Sequence, residues 1–275
     1  MSKLKMWDAH QSWETAEKIW DEGALAMAQE KPIKGLTKLP MMPGITEDTA
    51  KNLKWKAFKW MIVKDEKWEL CKKFIKHPIR YGLGLVRSLL GKKPYVRDGD
   101  FFLYGINRIA DFEQLMEDSR ALLVVGFSYC HKPFECPSGR FTDACMHDAE
   151  NPVCRQCFIG KCVNALPERN AIPLFIPTIH YIGGKILDIV EEHPKRKILF
   201  LITACEMTLE MFGDLGNMAG IKGIGVRLDG RICNTLKAFE LSEEGIKPGL
   251  TVVLEPAQKQ ILELIRHFRT ASTQY

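Results

Sequence analysis

Apolar positions along this chain follow two different rules. Up to about residue 120 they recur at helical spacing, and beyond it they gather into short continuous runs. Trp13, Ala16, Trp20, Ala24 and Met27 fall at intervals of three and four, which predicts an amphipathic helix over 7–30. Pro32 ends it, because the residue before a proline is pushed out of the helical region. Residues 31–46, with Pro32, Pro40, Pro43 and Gly44, read as a connector. A second helical stretch is predicted over 48–76, with Leu53, Ala57, Trp60, Met61, Trp68, Cys71 and Ile75 as its apolar stripe. Tyr81–Leu90 is a short apolar stretch, and Asp111–Arg120 a helix leading into the next region.

From Ala121 onward, strand-length apolar runs alternate with helix-length amphipathic ones. The strands predicted are Leu122–Phe127, Ile172–Pro177, Ile198–Thr203, Gly223–Leu228 and Leu250–Leu254. Helices are predicted at Gly183–Glu192, Glu206–Asn217, Asn234–Glu244 and Ala257–Arg269. Near-continuous apolar strands separated by helices imply a parallel sheet covered on both faces. The expected fold is therefore α/β: a doubly wound, mostly parallel sheet of about five strands, Rossmann/flavodoxin-like. It follows a helical, Trp-rich, basic N-terminal region over 1–118 and occupies 119–275.

Charge changes this picture in one place. Residues 51–97 carry fourteen Lys or Arg against three Asp or Glu, a local +11, whereas the rest of the chain sums to −6. Three readings of this stretch are open: a solvated helix packed through its tryptophans, contact with an anionic membrane surface, or nucleic-acid binding. Packing comes first and peripheral membrane contact second. Nucleic acid comes last, since no recognised binding motif is present. The longest apolar runs, 121–127 and 198–205, are too short to cross a bilayer. No secretory h-region opens the sequence, so a cytoplasmic location is expected, with peripheral membrane association through 51–97 as an option.

In a reducing compartment, nine cysteines point to metal or redox chemistry rather than disulfides. Six of them, Cys130, Cys136, Cys145, Cys154, Cys157 and Cys162, crowd into 130–162, among prolines, glycines and charges. An irregular segment of that length does not offset its ordering entropy by burial alone. Cys130, Cys205 and Cys233 each follow a predicted strand, at the edge where open α/β sheets build binding crevices. With Cys71 set aside, eight thiols are candidate ligands. The C-x2-C pair Cys154/Cys157 supplies the tight turn shared by zinc knuckles and iron–sulfur sites. A zinc ribbon would present two such pairs and only one is here, so one or two [4Fe-4S] clusters are expected, with zinc as the alternative.

Four stretches carry a resemblance. They are Y-C-H-K-P-F-E-C-P-S-G-R, C-R-Q-C-F-I-G-K, A-C-E-M, and G-V-R-L-D-G-R-I-C-N-T, over about 121–255. The chain resembles the cysteine-rich family known as domain of unknown function one-sixteen. The resemblance implies that Cys130, Cys136, Cys154, Cys157, Cys205 and Cys233 are shared positions and that Cys145 and Cys162 are additions. It also implies a prokaryotic, iron–sulfur-linked protein of a family often found in anaerobes.

Other polar residues are weighed against plainer roles. His131 and His147 are candidate ligands or proton donors, but equally solvated loop residues, and the latter is preferred for both. His180, with Thr178 and Tyr181, follows the second strand and is expected at the crevice; His180 and His131 are the candidate catalytic groups. Arg140, Arg155 and Lys161 lie among the thiols, either to offset cluster charge or as solvated charge. Gly183-Gly184-Lys185 lacks a phosphate-loop spacing and reads as a turn. The function expected is a redox enzyme or electron-transfer protein acting on a redox partner or small-molecule substrate. The alternatives are a non-redox enzyme using an open iron as Lewis acid, or a zinc-stapled binding module.

Overall fold

A computed structural model describes residues 5–9, 12–36, 44–65, 68–76, 78, 81–84, 86 and 95–272. Residues 37–43 of the connector expected over 31–46, and 87–94 of the basic stretch, lie outside these residues.

Four of the five expected strands form the parallel part of one sheet. They are β3 (Ala121–Ser128), β4 (Ala171–Ile176), β5 (Lys197–Ala204) and β6 (Lys222–Arg227), with β3 between β4 and β5 and β6 beyond β5. Two strands not anticipated, β1 (Val96–Asp98) and β2 (Phe101–Tyr104), turn at Gly99 and run antiparallel, and β2 pairs with β6. The sheet is therefore six-stranded, mixed and mostly parallel, in the order β1-β2-β6-β5-β3-β4. Pro173 sits inside β4, opposite Val125; a proline is admissible there because β4 is an edge strand.

The fifth expected strand, Leu250–Leu254, is corrected. Only Thr251–Val252 (β8) is extended, and it pairs with Asp229–Gly230 (β7) apart from the main sheet. The β6 edge it would have joined is occupied by β2, and the helix Glu255–Ser272 begins immediately after.

Side chains alternate across the sheet as the pleat demands. Leu123, Val125, Phe127, Leu199 and Leu201 pack on one face with the helices Ile109–Met116, Phe158–Ala165 and Glu255–Ser272. Leu122, Val124, Phe200 and Ile202 pack on the other with Leu53–Val63, Ile179–Glu192, Glu206–Ala219 and Leu236–Glu243. The long N-terminal helix, Trp13–Glu30, is capped by Ser12, whose hydroxyl accepts from the Thr15 amide. It buries Ala16 and Trp20 in the first of these cores. The N-terminal region thus shares a core with the α/β region and lends it two strands.

The strand register fixes the sheet edge that matters. Ser128 lies opposite Ile176, Phe127 opposite Thr203, and Ala204 opposite Arg227, so four parallel strands end level with one another. Everything that leaves their carboxyl ends emerges on one side of the molecule.

Candidate functional site

Cys130 leaves β3 through a single 3-10 turn, Tyr129–His131, and stays buried at the sheet edge. Cys205 is the residue between β5 and the helix Glu206–Ala219, and its sulfur lies 3.2 Å from Thr208 Oγ1. Cys233 follows β7, with its thiol directed toward the Ala238 carbonyl at 3.5 Å. These three thiols converge, as the strand pattern predicted. Burial pushes the Cys205 thiol up to about 12, helped by the neighbouring Cys233 and Cys130. Burial likewise raises Cys130, and Lys247 works against that rise. Lys247 donates to the Cys233 sulfur at 3.1 Å; the three thiols hold its ammonium above the ordinary lysine value even though burial pulls the other way.

A second group forms further out on the inserted loop. Cys136, Cys145, Cys154 and Cys157 line one small cavity with Pro133, Met146, His147 and Ile159. Local structure aims each of them. Asn151 caps the short helix Pro152–Gln156, its side chain accepting from the Val153 and Cys154 amides, with Pro152 at the first helical position. Cys157 ends that helix and begins the next, Phe158–Ala165. Gly160 permits the join: a Cβ there would stand 2.2 Å from the Cys154 carbonyl oxygen. Burial pushes Cys145 up to about 11 and Cys157 up to about 12, and raises Cys154.

The loop carrying these thiols is folded around a cation of its own. Lys132, 1% exposed, donates to the carbonyls of Gly139, Thr142 and Ala144 and to the Thr142 hydroxyl, at 2.7 to 3.2 Å. Cys136, Cys145 and Cys157 all act on its ammonium as nearby acidic groups. Arg140 ties the same loop to the three-thiol group. It donates to the carbonyls of Lys132 and Cys130 on one side and of Lys247 and Gly249 on the other. Sequence reasoning passed over Lys132 and Lys247. Nothing in their spacing sets them apart from surface lysines.

Comparison of the chain with family models, with curated proteins and with solved structures returned no match. The site is therefore read from its own geometry. Among the described residues no group of three or more His, Cys, Asp or Glu side chains is arranged to hold a single metal ion. The donors are soft thiols, a ligand type that clusters and soft metals share, beside one buried cation, Lys132, and two half-buried ones, Arg140 and Lys247.

Several expected site residues lie elsewhere. Cys162 belongs to neither group. It is fully buried in the core between sheet and helices, where burial raises its thiol well above the ordinary value. His131 is buried against the Phe158 ring, 5.7 Å between centroids, and burial holds it down to about 4, so it stays neutral at physiological pH. It is not among the residues lining the cavities at Cys130 or at Cys154. His147 does line the four-thiol cavity, with Nδ1 2.9 Å from the Cys145 carbonyl. Arg155 and Lys161 face away from the thiols and clamp the N-terminal helix. Arg155 donates to the Ile19 and Trp20 carbonyls and stacks on the Trp20 ring, while Lys161 pairs with Glu17 and Asp21. Glu206 pairs with Arg97 of β1 at 2.6 Å.

Two cavities meet beside the three-thiol group. The smaller is lined by Cys130, Cys205, Thr208, Ser128 and the apolar residues Ile176, Ile202 and Phe212. The larger is an open cleft walled by Trp60, Lys73, His180, Tyr181 and Lys185. His180, 3.1 Å from the Met61 carbonyl through Nε2, therefore faces this cleft rather than the thiols. Thr178 and Glu243 line both. Glu243 accepts a hydrogen bond from the Ile179 amide at 2.9 Å, and burial pushes its carboxyl up to about 7.

Proposed function

We propose that this chain is an iron–sulfur redox protein with two thiolate centres on a sheet of the Rossmann/flavodoxin type. Cys136, Cys145, Cys154 and Cys157 would hold a closed [4Fe-4S] centre. Cys130, Cys205 and Cys233 would hold a second with one position left for a small substrate. The observation that carries this reading is the sorting of seven cysteines into a group of three at the sheet edge and a group of four further out on the inserted loop. Such clusters, when bound, pass single electrons, and an iron without a cysteine ligand acts as a Lewis acid.

The chain's own residues do the rest. Lys132, buried, and Arg140 and Lys247, half-buried, supply positive charge against the thiolates, which lowers the cost of gathering them. The small cavity, about 20 Å³, is lined by Ser128, Thr178, Thr208 and Glu243 within apolar walls, room for a ligand about the size of one water molecule. Four thiolates close a site, and three leave it open. That distinction favours electron relay at the first group and substrate chemistry at the second. On this reading the chain works in a reducing cytoplasm and belongs with the cysteine-rich family it resembles. Cys145 then completes a centre that the six shared positions alone would leave one ligand short.

Protein purified without oxygen should be brown, contain iron and acid-labile sulfide, and bleach in air. Cys205→Ser or Cys233→Ser should perturb one paramagnetic signal and leave the other. Colourless protein with stoichiometric zinc would overturn the reading in favour of a metal-stapled binding module. Iron content unchanged in both serine variants would overturn the three-thiol assignment.

A further inference from the structure

The helix Leu53–Val63 is apolar on two opposite faces, and the described residues cover only one of them. Leu53 and Ala57 are buried, and Trp60 packs edge-on against Phe239, 6.2 Å between centroids. At 3.6 residues per turn, Phe58, Ile62, Trp55 and Val63 share a single arc of about 140° on the far side. Their exposures are 37%, 40%, 60% and 67%. Lys59 lies within that arc and is exposed, and Lys51, also exposed, stands just before the helix, whereas Lys64 at its end turns back to the protein and pairs with Glu244 at 3.7 Å. Beyond the helix Trp68, Ile75, Leu83 and Val86 are exposed as well. Large exposed apolar side chains are ordinary when scattered, but here they follow one another along one segment between lysines.

We propose that this face docks on an anionic lipid surface, with the helix lying in the plane of the interface. Tryptophan and long aliphatic side chains suit the boundary between headgroups and acyl chains, and interleaved lysines suit acidic headgroups. The local charge of +11 over 51–97 supplies the complementarity, whereas the remainder of the chain is acidic and would be held off the surface. No helix among the described residues is long and apolar enough to cross a membrane, so attachment of this kind would be peripheral. The inference does not depend on the metal content of the thiol groups, since none of these residues lines the thiol cavities.

Sedimentation with vesicles tests it, using the full chain. Vesicles of phosphatidylcholine containing phosphatidylserine should carry the protein down, and phosphatidylcholine alone should not. Raised salt should release it. Trp55→Ala with Ile62→Ser should weaken binding by at least about tenfold, since two apolar side chains no longer enter the interface. Lys51→Glu with Lys59→Glu should weaken it on anionic vesicles. Both pairs are exposed, so an unchanged circular dichroism spectrum and melting temperature should accompany the loss. No binding to anionic vesicles would overturn the proposal. So would concentration-dependent dimerisation that the Trp55/Ile62 pair abolishes, because the face would then be covered by a second copy.

Discussion

Lys247 Nζ stands 3.1 Å from the sulfur of Cys233, with Cys130 and Cys205 near enough to bias its proton. A half-buried ammonium beside three thiols is a counter-charge built into the site before anything binds there. Lys247→Met removes that charge with little change in volume. Anaerobically loaded variant protein should lose iron from the three-thiol group and keep it at the four-thiol group. Total iron would then fall toward the content of one centre. Iron equal to that of the unaltered protein would show that the lysine is dispensable there.

On the proposed iron–sulfur reading, Cys162 and Cys145 separate core from ligand. Cys162→Ala leaves a small void in a packed core and should cost about 1–2 kcal/mol of stability with the metal content intact. Cys145→Ser, on the half-buried cavity wall, should cost little stability in the metal-free chain but abolish the four-thiol centre. The opposite pattern in unfolding and iron assays would reverse the two assignments.

Gly160→Ala forces a methyl group into the Cys154 carbonyl, a backbone atom that has nowhere to swing. The two short helices must part, costing about 1–3 kcal/mol and turning Cys154 away from its three partners. Iron affinity should fall at the four-thiol group alone. Arg155→Ala would cost comparable stability by freeing the N-terminal helix, and should spare the iron.

Glu243 gives stability a pH dependence of known sign. Its carboxyl is raised from 4.5 to about 7 by burial, so the folded chain binds this proton more tightly than the unfolded chain does. Stability from this group is complete below 4.5 and falls as pH rises toward about 7, by on the order of 3 kcal/mol at most. Glu243→Gln removes the dependence. Urea unfolding at acid and at mildly alkaline pH should show the variant gaining on the unaltered protein as pH rises. A constant gap between the two would place the carboxyl in its ordinary range.

How far the sequence announced all this depends on which force set each element. β3, β4, β5 and β6 were legible because strands buried on both faces must be continuously apolar. Val96–Asp98 was not, since all three of its residues are exposed, and Phe101–Tyr104 is too short for a periodicity to register. Leu250–Leu254 reads as a strand by composition, and only tertiary competition for the β6 edge excludes it. The approach of Cys130, Cys205 and Cys233 followed from strand order. Their separation from Cys136, six residues after Cys130, did not, because it depends on a 3-10 turn holding one cysteine at the edge while the chain swings outward. His180 lay where the strand pattern put it, one residue after a helix begins, yet helical rotation aims it into the neighbouring cleft.

The loop from Lys132 to Ala144 closes on an ammonium that belongs to the chain itself. A knuckle that folds only around its metal must wait for supply, and it unravels when the metal is taken away. Here the lysine acts as a resident template. The cage can be shaped during folding and stand ready afterwards, and on the proposed reading loading would be a late step that leaves the scaffold unchanged. Lys132→Met would undo that order of assembly. It would strand four polar acceptors without their donor, at about 3 kcal/mol. Amide exchange through 133–145 should then quicken in the metal-free protein and recover only once the site is filled.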